Sequence, residues 1–502
     1  MDNERQAETV FAPSTAPGRA GVAVVRLSGP EAGAALRALT GAELPPPRRA
    51  ALRRLCDPAD HAPIDQALVL WFPGPGSFTG EDMAELQVHG GRAVMAAVLQ
   101  CLARLPGLRP AEAGEFTRRA FDNGKLDLTA VEGLADLIDA ETEAQRRQAL
   151  RQMEGGLARR TAEWSARLTR VLAYAEAAID FADEDLPEAM EAEALEAAAA
   201  VAAEIRAALA DGRRGERLRD GLAAVILGPP NAGKSSLLNA LAEREVAIVS
   251  ETAGTTRDVI EVHLDLGGYP VTLADTAGLR TLAAERPRVA AGGSGPAVGV
   301  AEAPWDRAPL DPAPLDPAPL DSAQGDIERE GMARARQRAE AADLKVLVFD
   351  LAAERSPRRG MAMAEADLLG FADHRSLLVL NKADLVSPAA ADAAAERMTA
   401  VAGAAPIVVS ARSGAGLDAL LAALIRQAED CFAGGTAEIT RARQRRALED
   451  GLAALERVGT AGLPELRAED LRLAVRALGR VTGRVDVEDL LDIVFQDFCI
   501  GK

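Results

Sequence analysis

Lys234 stands in the run Gly228-x-x-x-x-Gly233-Lys234-Ser235, whose glycines, amine and hydroxyl are spaced to close around phosphate groups. Glycines let backbone N–H groups approach the anion, the amine reaches the β/γ-phosphates, and the Ser235 hydroxyl can ligate Mg2+. The apolar stretch AAVIL precedes the run and SSLLNALAE follows it, so the sequence predicts a strand, a phosphate loop and a helix. Asn231, Ala232 and Ser236 complete the rim of the loop. A second cluster, Asn381-Lys382-x-Asp384, ends the apolar run LLVL. The Asp384 carboxylate can accept two hydrogen bonds from guanine N1–H and N2–H2, a donor pair that adenine lacks. PIVVSAR at 406–412 places Ser410, Ala411 and Arg412 at another strand end, where they can support the base. Between these clusters, Asp275-Thr276-Ala277-Gly278 follows PVTLA; Asp275 can hold Mg2+ through water, and the Gly278 N–H can face the γ-phosphate.

The order of these clusters resembles the translation-factor class of GTP-binding domains. Ras-like members place a water-orienting Gln directly after the Gly of the third cluster, whereas this chain has Leu279, which cannot hydrogen-bond water. A catalytic element must therefore come from elsewhere. One source is the loop SETAGTTRD, comprising Ser250, Glu251, Thr252, Ala253, Gly254, Thr255, Thr256, Arg257 and Asp258. Thr256 suits Mg2+, and backbone carbonyls of this loop together with Asn231 could hold a monovalent cation that does the charge work of an arginine finger. The plainer alternative is that Asn231 only caps a turn.

These clusters need a scaffold, and 502 residues accommodate about three domains. Residues 1–125 mix short β-type runs (GVAVVRLSG, ALVLWF) with one periodic helix near 93–105 and read as an α+β domain. From 126 to 218 the chain is nearly free of Pro and Gly, and Leu168, Val171, Leu172 and Ala175 fall at helical spacing. DGRRGERLRDG at 211–221 interrupts that pattern; strands and helices then alternate through 219–435, and 436–502 returns to long helices. The expected fold is thus multidomain α/β plus α, with a Ras-like P-loop domain inserted into a helical domain. Within it, 281–325 carries APLDPAPLDPAPLD and reads as a disordered insertion.

The net charge of −19 divides into 0, −9, −9 and −1 over those four segments, so no segment is net basic. A nucleic-acid substrate must then be held by a local patch or by another subunit. Four scattered Cys and four His with no ligand spacing argue against a disulfide framework and a zinc site. The start MDNERQAETV lacks signal-peptide features and no run is long enough to span a bilayer, so a cytoplasmic protein without membrane association is expected.

GPPNAGKSS, AGTTRD, DTAGLR and the terminal FCIGK, together with STAPGRAGVAVVRLSG, FPGPGSFTGEDMAELQVHGG, GEFTRRAFDNGKLDLTAVEGLADLIDA and EAAIDFADED, resemble the MnmE (TrmE) family of tRNA-modification GTPases over nearly the whole chain. The resemblance implies an N-terminal folate-binding domain that forms a homodimer, potassium-dependent hydrolysis of GTP to GDP, and work with an FAD-containing MnmG-type partner, with a heterotetramer as the expected assembly. The pair would install a (carboxymethyl)aminomethyl group on C5 of the wobble uridine of tRNA, held mainly by the partner, from 5-formyl- or 5,10-methylene-tetrahydrofolate. It places K+ among Asn231, Ser250, Thr252 and Thr255, Mg2+ at Ser235 and Thr256, and folate at Arg26, Glu85, Lys125 and Lys502, with Cys499 near that site as a possible functional cysteine. The family's acidic residue three before a Gly at a helix start falls on Glu328, ahead of Gly331, as the residue that orients the attacking water. Glu330 is its rival, and a solvated Glu favoured by a helix N-terminus is the plainer reading. Two readings compete with this function. A GTP-switched ribosome-assembly factor would carry a basic RNA module, and a membrane remodeller a lipid-facing paddle; the near-neutral helical tail offers neither.

Pro230 replaces the family's usual basic residue without removing a needed N–H. The insertion of about 40 residues after DTAGLR is the larger departure. Its repeats cannot bury enough apolar area to offset ordering entropy. Limited proteolysis is expected to cut first within 281–325, and deletion of 285–322 to leave the GTP-binding domain folded; unfolding on deletion would make the segment structural.

Overall fold

The computed structural model describes residues 8–180, 188–211, 213–244, 246–248, 261–275, 337–353, 368–434, 437–460, 462–485, 495 and 501. The chain divides into two compact units, Met1–Arg219 with Gly435–Lys502, and Asp220–Gly434.

The first unit opens with β1 (Thr9–Pro13), β2 (Ala20–Ser28), α1 (Ala32–Thr40), β3 (Ala51–Cys56), β4 (Pro63–Phe72), β5 (Met83–Gly90), α2 (Arg92–Arg104) and β6 (Leu108–Pro110). The sheet order is β3-β4-β5-β2-β1-β6, antiparallel except between β1 and β6. Alternation in β2 buries Ala23, Val25 and Leu27 with Leu86 and Val69, against Leu36 and Leu39 of α1 and Val98 and Leu102 of α2. The same period turns Val24 and Arg26 toward the opposite face.

Helices follow: α3 (Glu115–Asp122), α4 (Leu128–Asp139), α5 (Glu143–Met153), α6 (Gly156–Asp180), α7 (Glu188–Leu209) and α8 (Arg214–Asp220). Local chemistry sets two of their starts. The Asp127 side chain accepts from Ala130 N–H at α4, and Thr142 and Gln145 form a capping box at α5. The short helix α8 lies where the sequence pattern suggested a break. Arg213 takes a left-handed turn (φ 61), and Gly215 is needed for packing, since a Cβ there would lie 2.1 Å from the Ile439 carbonyl oxygen.

The second unit holds β7 (Leu222–Leu227), α9 (Lys234–Ala242), β8 (Glu261–Leu266), β9 (Tyr269–Asp275), β10 (Leu344–Asp350), β11 (Ser376–Asn381), α10 (Pro388–Ala402), β12 (Ile407–Val408) and α11 (Leu417–Phe432). Its sheet runs β12-β11-β10-β7-β9-β8 and is parallel but for the β8–β9 pair. Near-continuous burial along β7 and β10 matches strands covered on both faces, with separate apolar clusters around Ile226 and around Leu227. Among the described residues no helix is long and apolar enough to cross a membrane.

The chain then re-enters the first unit as α12 (Ala442–Val458) and α13 (Pro464–Thr482). Trp164 and Leu168 of α6 and Ile205 of α7 pack with Leu448 and Leu455 of α12 and Leu471 and Leu478 of α13, so neither chain segment has a complete core alone. Glu132 on α4, only 1% exposed, takes Arg443 through two bonds (2.5 and 2.7 Å) and Gln444 Nε2 at 2.8 Å. One turn on, Asp136 accepts from Arg219 at 2.9 Å and Arg441 at 2.6 Å, while burial raises its pKa above the usual carboxylate value. Removing one partner of a buried, hydrogen-bonded ion pair strands the other charge, at a cost of about 3 to 5 kcal/mol. Glu132→Ala should therefore lower the urea midpoint of the helical transition, read by circular dichroism, while the second unit still binds nucleotide; an unchanged midpoint would show the pair to be dispensable.

Candidate functional site

The phosphate loop leaves the C-terminal end of β7 and enters α9 at Lys234. Gly228 passes so close to β10 that a Cβ would sit 2.4 Å from the Val348 carbonyl oxygen. Asn231 (φ 67) and Gly233 (φ 90) both adopt left-handed backbone, which Asn tolerates and Gly adopts freely. The Lys234 side chain is buried, and its Nζ donates to the carbonyls of Gly228 (2.9 Å) and Pro229 (3.0 Å), which folds the amine over the loop. Ser235 and Ser236 are exposed in the first turn of α9, and Ala232 is buried beneath the loop.

Asn381 ties this loop to the base-side clusters. It is 1% exposed; its Nδ2 donates to the Ala232 carbonyl at 2.9 Å, and its Oδ1 accepts from Ala411 N–H at 3.1 Å. Both halves of one buried amide are thus used to lock two loops together. Lys382 takes a left-handed turn (φ 68), and its Nζ donates to Asp350 Oδ2 at 2.7 Å. Asp350 is a residue that motif reading missed; its signal was its place at the end of LKVLVFD, the strand beside β7 and β11. Asp384 is exposed, and its Oδ1 accepts from the buried Ser410 hydroxyl at 2.6 Å, which leaves carboxylate acceptor capacity facing solvent. The exposed Arg412 follows Ala411.

Asn231 to Ser236 and Asn381, Lys382, Asp384, Ser410 and Ala411 therefore gather along the C-terminal edge of one parallel sheet, the usual ligand edge of such folds. Asp275 closes β9, next to β7 in the same sheet. Ser250 to Thr256, Thr276 to Gly278, Glu328, Cys499 and Lys502 lie outside the described residues, as does the insertion 281–325.

In the first unit, Arg26 and Glu85 face each other across β2 and β5, with Arg26 Nε and Nη2 donating to Glu85 Oε1 at 3.1 and 3.0 Å. The guanidinium lies 5.8 Å from the ring centres of Phe78 and Phe116. Lys125 is exposed; its Nζ donates to the Pro75 carbonyl at 3.0 Å, and its stem lies alongside Gly80. The 73–82 loop thus touches both Arg26 and Lys125. That loop is pinned by Thr79 against Ser28 (2.7 Å) and by Glu81, which accepts from Ser28 (2.7 Å) and from the buried Arg119 (3.0 Å). Sequence reading passed over Arg119, whose role is visible only when α3 meets the loop. Gly501 (φ 102) receives the Ser14 hydroxyl on its carbonyl at 2.8 Å, and a Cβ there would fall 2.0 Å from the Pro13 carbonyl oxygen, so Gly501 sits at the end of β1.

A parallel sheet with a phosphate loop after its central strand, and an Asn-Lys-x-Asp turn at the same edge, defines a P-loop protein of the guanine-nucleotide-binding class. Family comparison gives the rest: a model of the MnmE helical domain matches residues 128–499, and one of the GTP-binding protein TrmE N-terminus matches 9–125. The chain is 53% identical over 500 residues to the tRNA modification GTPase MnmE of Parvibaculum lavamentivorans, covering 99% of this chain and 100% of that one. It is 50% identical over 498 residues to that of Paramagnetospirillum magneticum (99% and 100% covered) and 51% identical over 508 residues to that of Rhodospirillum rubrum (99% of each). The chain belongs to the MnmE family.

Gly233→Ala would place a methyl group 2.3 Å from Asn381 Nδ2 on a left-handed backbone. A loss of nucleotide affinity of at least about tenfold is expected, measured by fluorescent-GDP titration, with the sheet still folded; unaltered affinity would mean that the loop re-forms around the methyl group.

Proposed function

We propose that this chain is a tRNA-modification GTPase that hydrolyses GTP with K+ and Mg2+ and, with an FAD-containing MnmG-type partner, builds the (carboxymethyl)aminomethyl group on C5 of the wobble uridine. The observation that carries the reading is the Asn381 bridge between the Ala232 carbonyl and Ala411 N–H, which presets the phosphate and base halves of one nucleotide site. Membership of a family whose relatives are named tRNA modification GTPases supplies the substrate class.

In this reading the loop amides and Lys234 hold the phosphates, and Lys234 leaves the Gly228 and Pro229 carbonyls to do so. Asp384 accepts from guanine N1–H and N2–H2 while Ser410 fixes the carboxylate. Ser235, exposed at the start of α9, and Thr256 would hold Mg2+, with Asp275 reaching it through water. Asn231, exposed on its left-handed turn, would join Ser250, Thr252 and Thr255 around K+, which when bound supplies positive charge beside the phosphates. Glu328 is proposed to orient the attacking water, because Leu279 cannot and Asp275 serves the metal. Arg26, Glu85, Lys125 and Lys502 would hold a tetrahydrofolate, 5-formyl or 5,10-methylene, which supplies the one-carbon unit; the paired Arg26 and Glu85 offer donors and an acceptor to a pterin, and Lys125 a cation to its glutamate tail. Cys499 would lie near that site, since Gly501 is held at β1. A homodimer, a heterotetramer with the partner, tRNA carried mainly by that partner and a cytoplasmic location complete the proposal.

GTP turnover is expected to rise in K+ and not in Na+, and Asn231→Ala to lose that dependence while GDP binding persists. In K+, Glu328→Ala should retain GTP binding and lose turnover by about 100-fold or more, whereas Glu330→Ala should keep both. Equal rates in the two salts contradict the cation site, and a loss confined to Glu330→Ala moves the catalytic role to that residue.

A further inference from the structure

We propose that the outer edge of the N-terminal sheet, carrying Arg37, Arg49, Arg53 and Arg54, is a landing surface for the phosphate backbone of an RNA. The proposal rests on the reading of this chain as acting on tRNA, and it deepens that reading by giving the chain a contact of its own. The protein carries −19, and an acidic surface repels a polyanion unless one region reverses the sign. Residues 46–56, PPRRAALRRLC, contain four arginines and no carboxylate.

Among the described residues β3 is the terminal strand of the sheet and pairs only with β4, so no described strand lies on its other side. Leu55 enters the core, which puts Arg53 on the helix-covered side and Arg54, with the exposed Leu52, on the open face. Arg37 is exposed in the last turn of α1, which packs on β3. Arg49 is exposed in the turn leading into β3, a turn held by Arg49 N–H to the Pro46 carbonyl and by the neighbouring Arg48, whose side chain donates to the Gly76 carbonyl.

Three other arginines of this domain are paired with carboxylates: Arg104, at the end of α2, with Asp57; Arg109 of β6 with Glu8 and Glu115; and Arg26 of β2 with Glu85. Among the described residues Arg37, Arg49, Arg53 and Arg54 have no carboxylate partner. Of the acids flanking this strand, Asp57 is paired with Arg104 and Asp65 with His89, while Glu43 and Asp60 are exposed in the segments before and after β3 and offset part of its charge. Guanidinium groups without a carboxylate along a strand edge, on both of its faces and at its entering turn, match a chain of phosphates better than a single small anion; of these, Arg53 Nη1 donates to the Leu52 carbonyl at 3.1 Å and keeps further donors for a phosphate. Arginine on an edge strand also blocks sheet-to-sheet pairing, and the test separates the two roles.

Labelled tRNA is titrated with the full-length chain by fluorescence anisotropy across a salt series. Arg53→Gln/Arg54→Gln should weaken binding about tenfold and reduce the slope of log affinity against log salt by roughly 0.7 to 0.9 for each phosphate no longer neutralised. Arg53→Lys/Arg54→Lys should keep the slope, and every variant should keep its GTP turnover. The proposal is overturned if wild type does not bind tRNA, if the Gln variant binds with unchanged affinity and slope, if the only change is self-association, or if the variant loses binding to phosphatidylserine vesicles and not to tRNA. Failure of the underlying reading is separate, since it would appear as normal wobble-uridine modification in cells that lack the chain.

Discussion

The two carboxylates of α4 hold together a helical unit that the chain builds in two visits. Asp136 accepts from Arg219, the last residue before the chain departs into the second unit, and from Arg441, just after it returns. Glu132, one turn earlier, binds Arg443 and Gln444 on the returning segment. Separated by more than 200 residues of chain, the two segments pay a closure entropy to meet, which the contacts between them must offset. Charge-assisted bonds in a buried setting add register, because one geometry satisfies them and a slipped helix would leave a buried charge unpaired. The apolar core of Trp164, Ile205, Leu455 and Leu478 supplies the bulk of the burial, and the polar clamp selects which faces meet.

The second unit shows the same division of labour. Its sheet is held by the aliphatic side chains of β7, β10 and β11, while a single buried amide, Asn381, fixes the phosphate loop relative to the base-side loop. That amide leaves no room for any side chain at Gly233, so the glycine answers a packing demand as well as a backbone one. Lys382 and Asp350 pin the strand end from which Asp384 emerges. Tying these two loops together in advance would reduce the ordering cost of the nucleotide binding proposed there, although Lys234 would still have to leave the Gly228 and Pro229 carbonyls.

Much of this was legible in the sequence because its signals are local. A strand, a glycine loop and a helix occur in immediate succession at 223–243, and the Asn381-Lys382-x-Asp384 turn follows its own strand. Family membership, read from motifs spread along the chain, agrees with full-length relatives. What stayed hidden depends on distant partners. Arg119, Asp350 and Glu132 look like ordinary charged residues until α3, β10 and α4 are packed, and α8 was obscured by Gly215, whose lack of a side chain serves contact with Ile439. Strand β1 is only five residues long and the adjacent Arg53 and Arg54 interrupt the alternation of β3, whereas the alternation of Ala84, Glu85, Leu86, Gln87, Val88 and His89 in β5 is a legible signal that sequence reading passed over. The site residues from Ser250 to Thr256 and Glu328 remain proposals, since they lie outside the described residues.

The central claim, that the nucleotide site serves modification of tRNA, is tested most directly by mass analysis of wobble uridines in tRNA from cells lacking this chain. The account expects the C5 side chain to disappear from those uridines and to return on expression of the wild-type chain, but not of one carrying Gly233→Ala. Wobble uridines that keep their C5 side chain without the protein would contradict it.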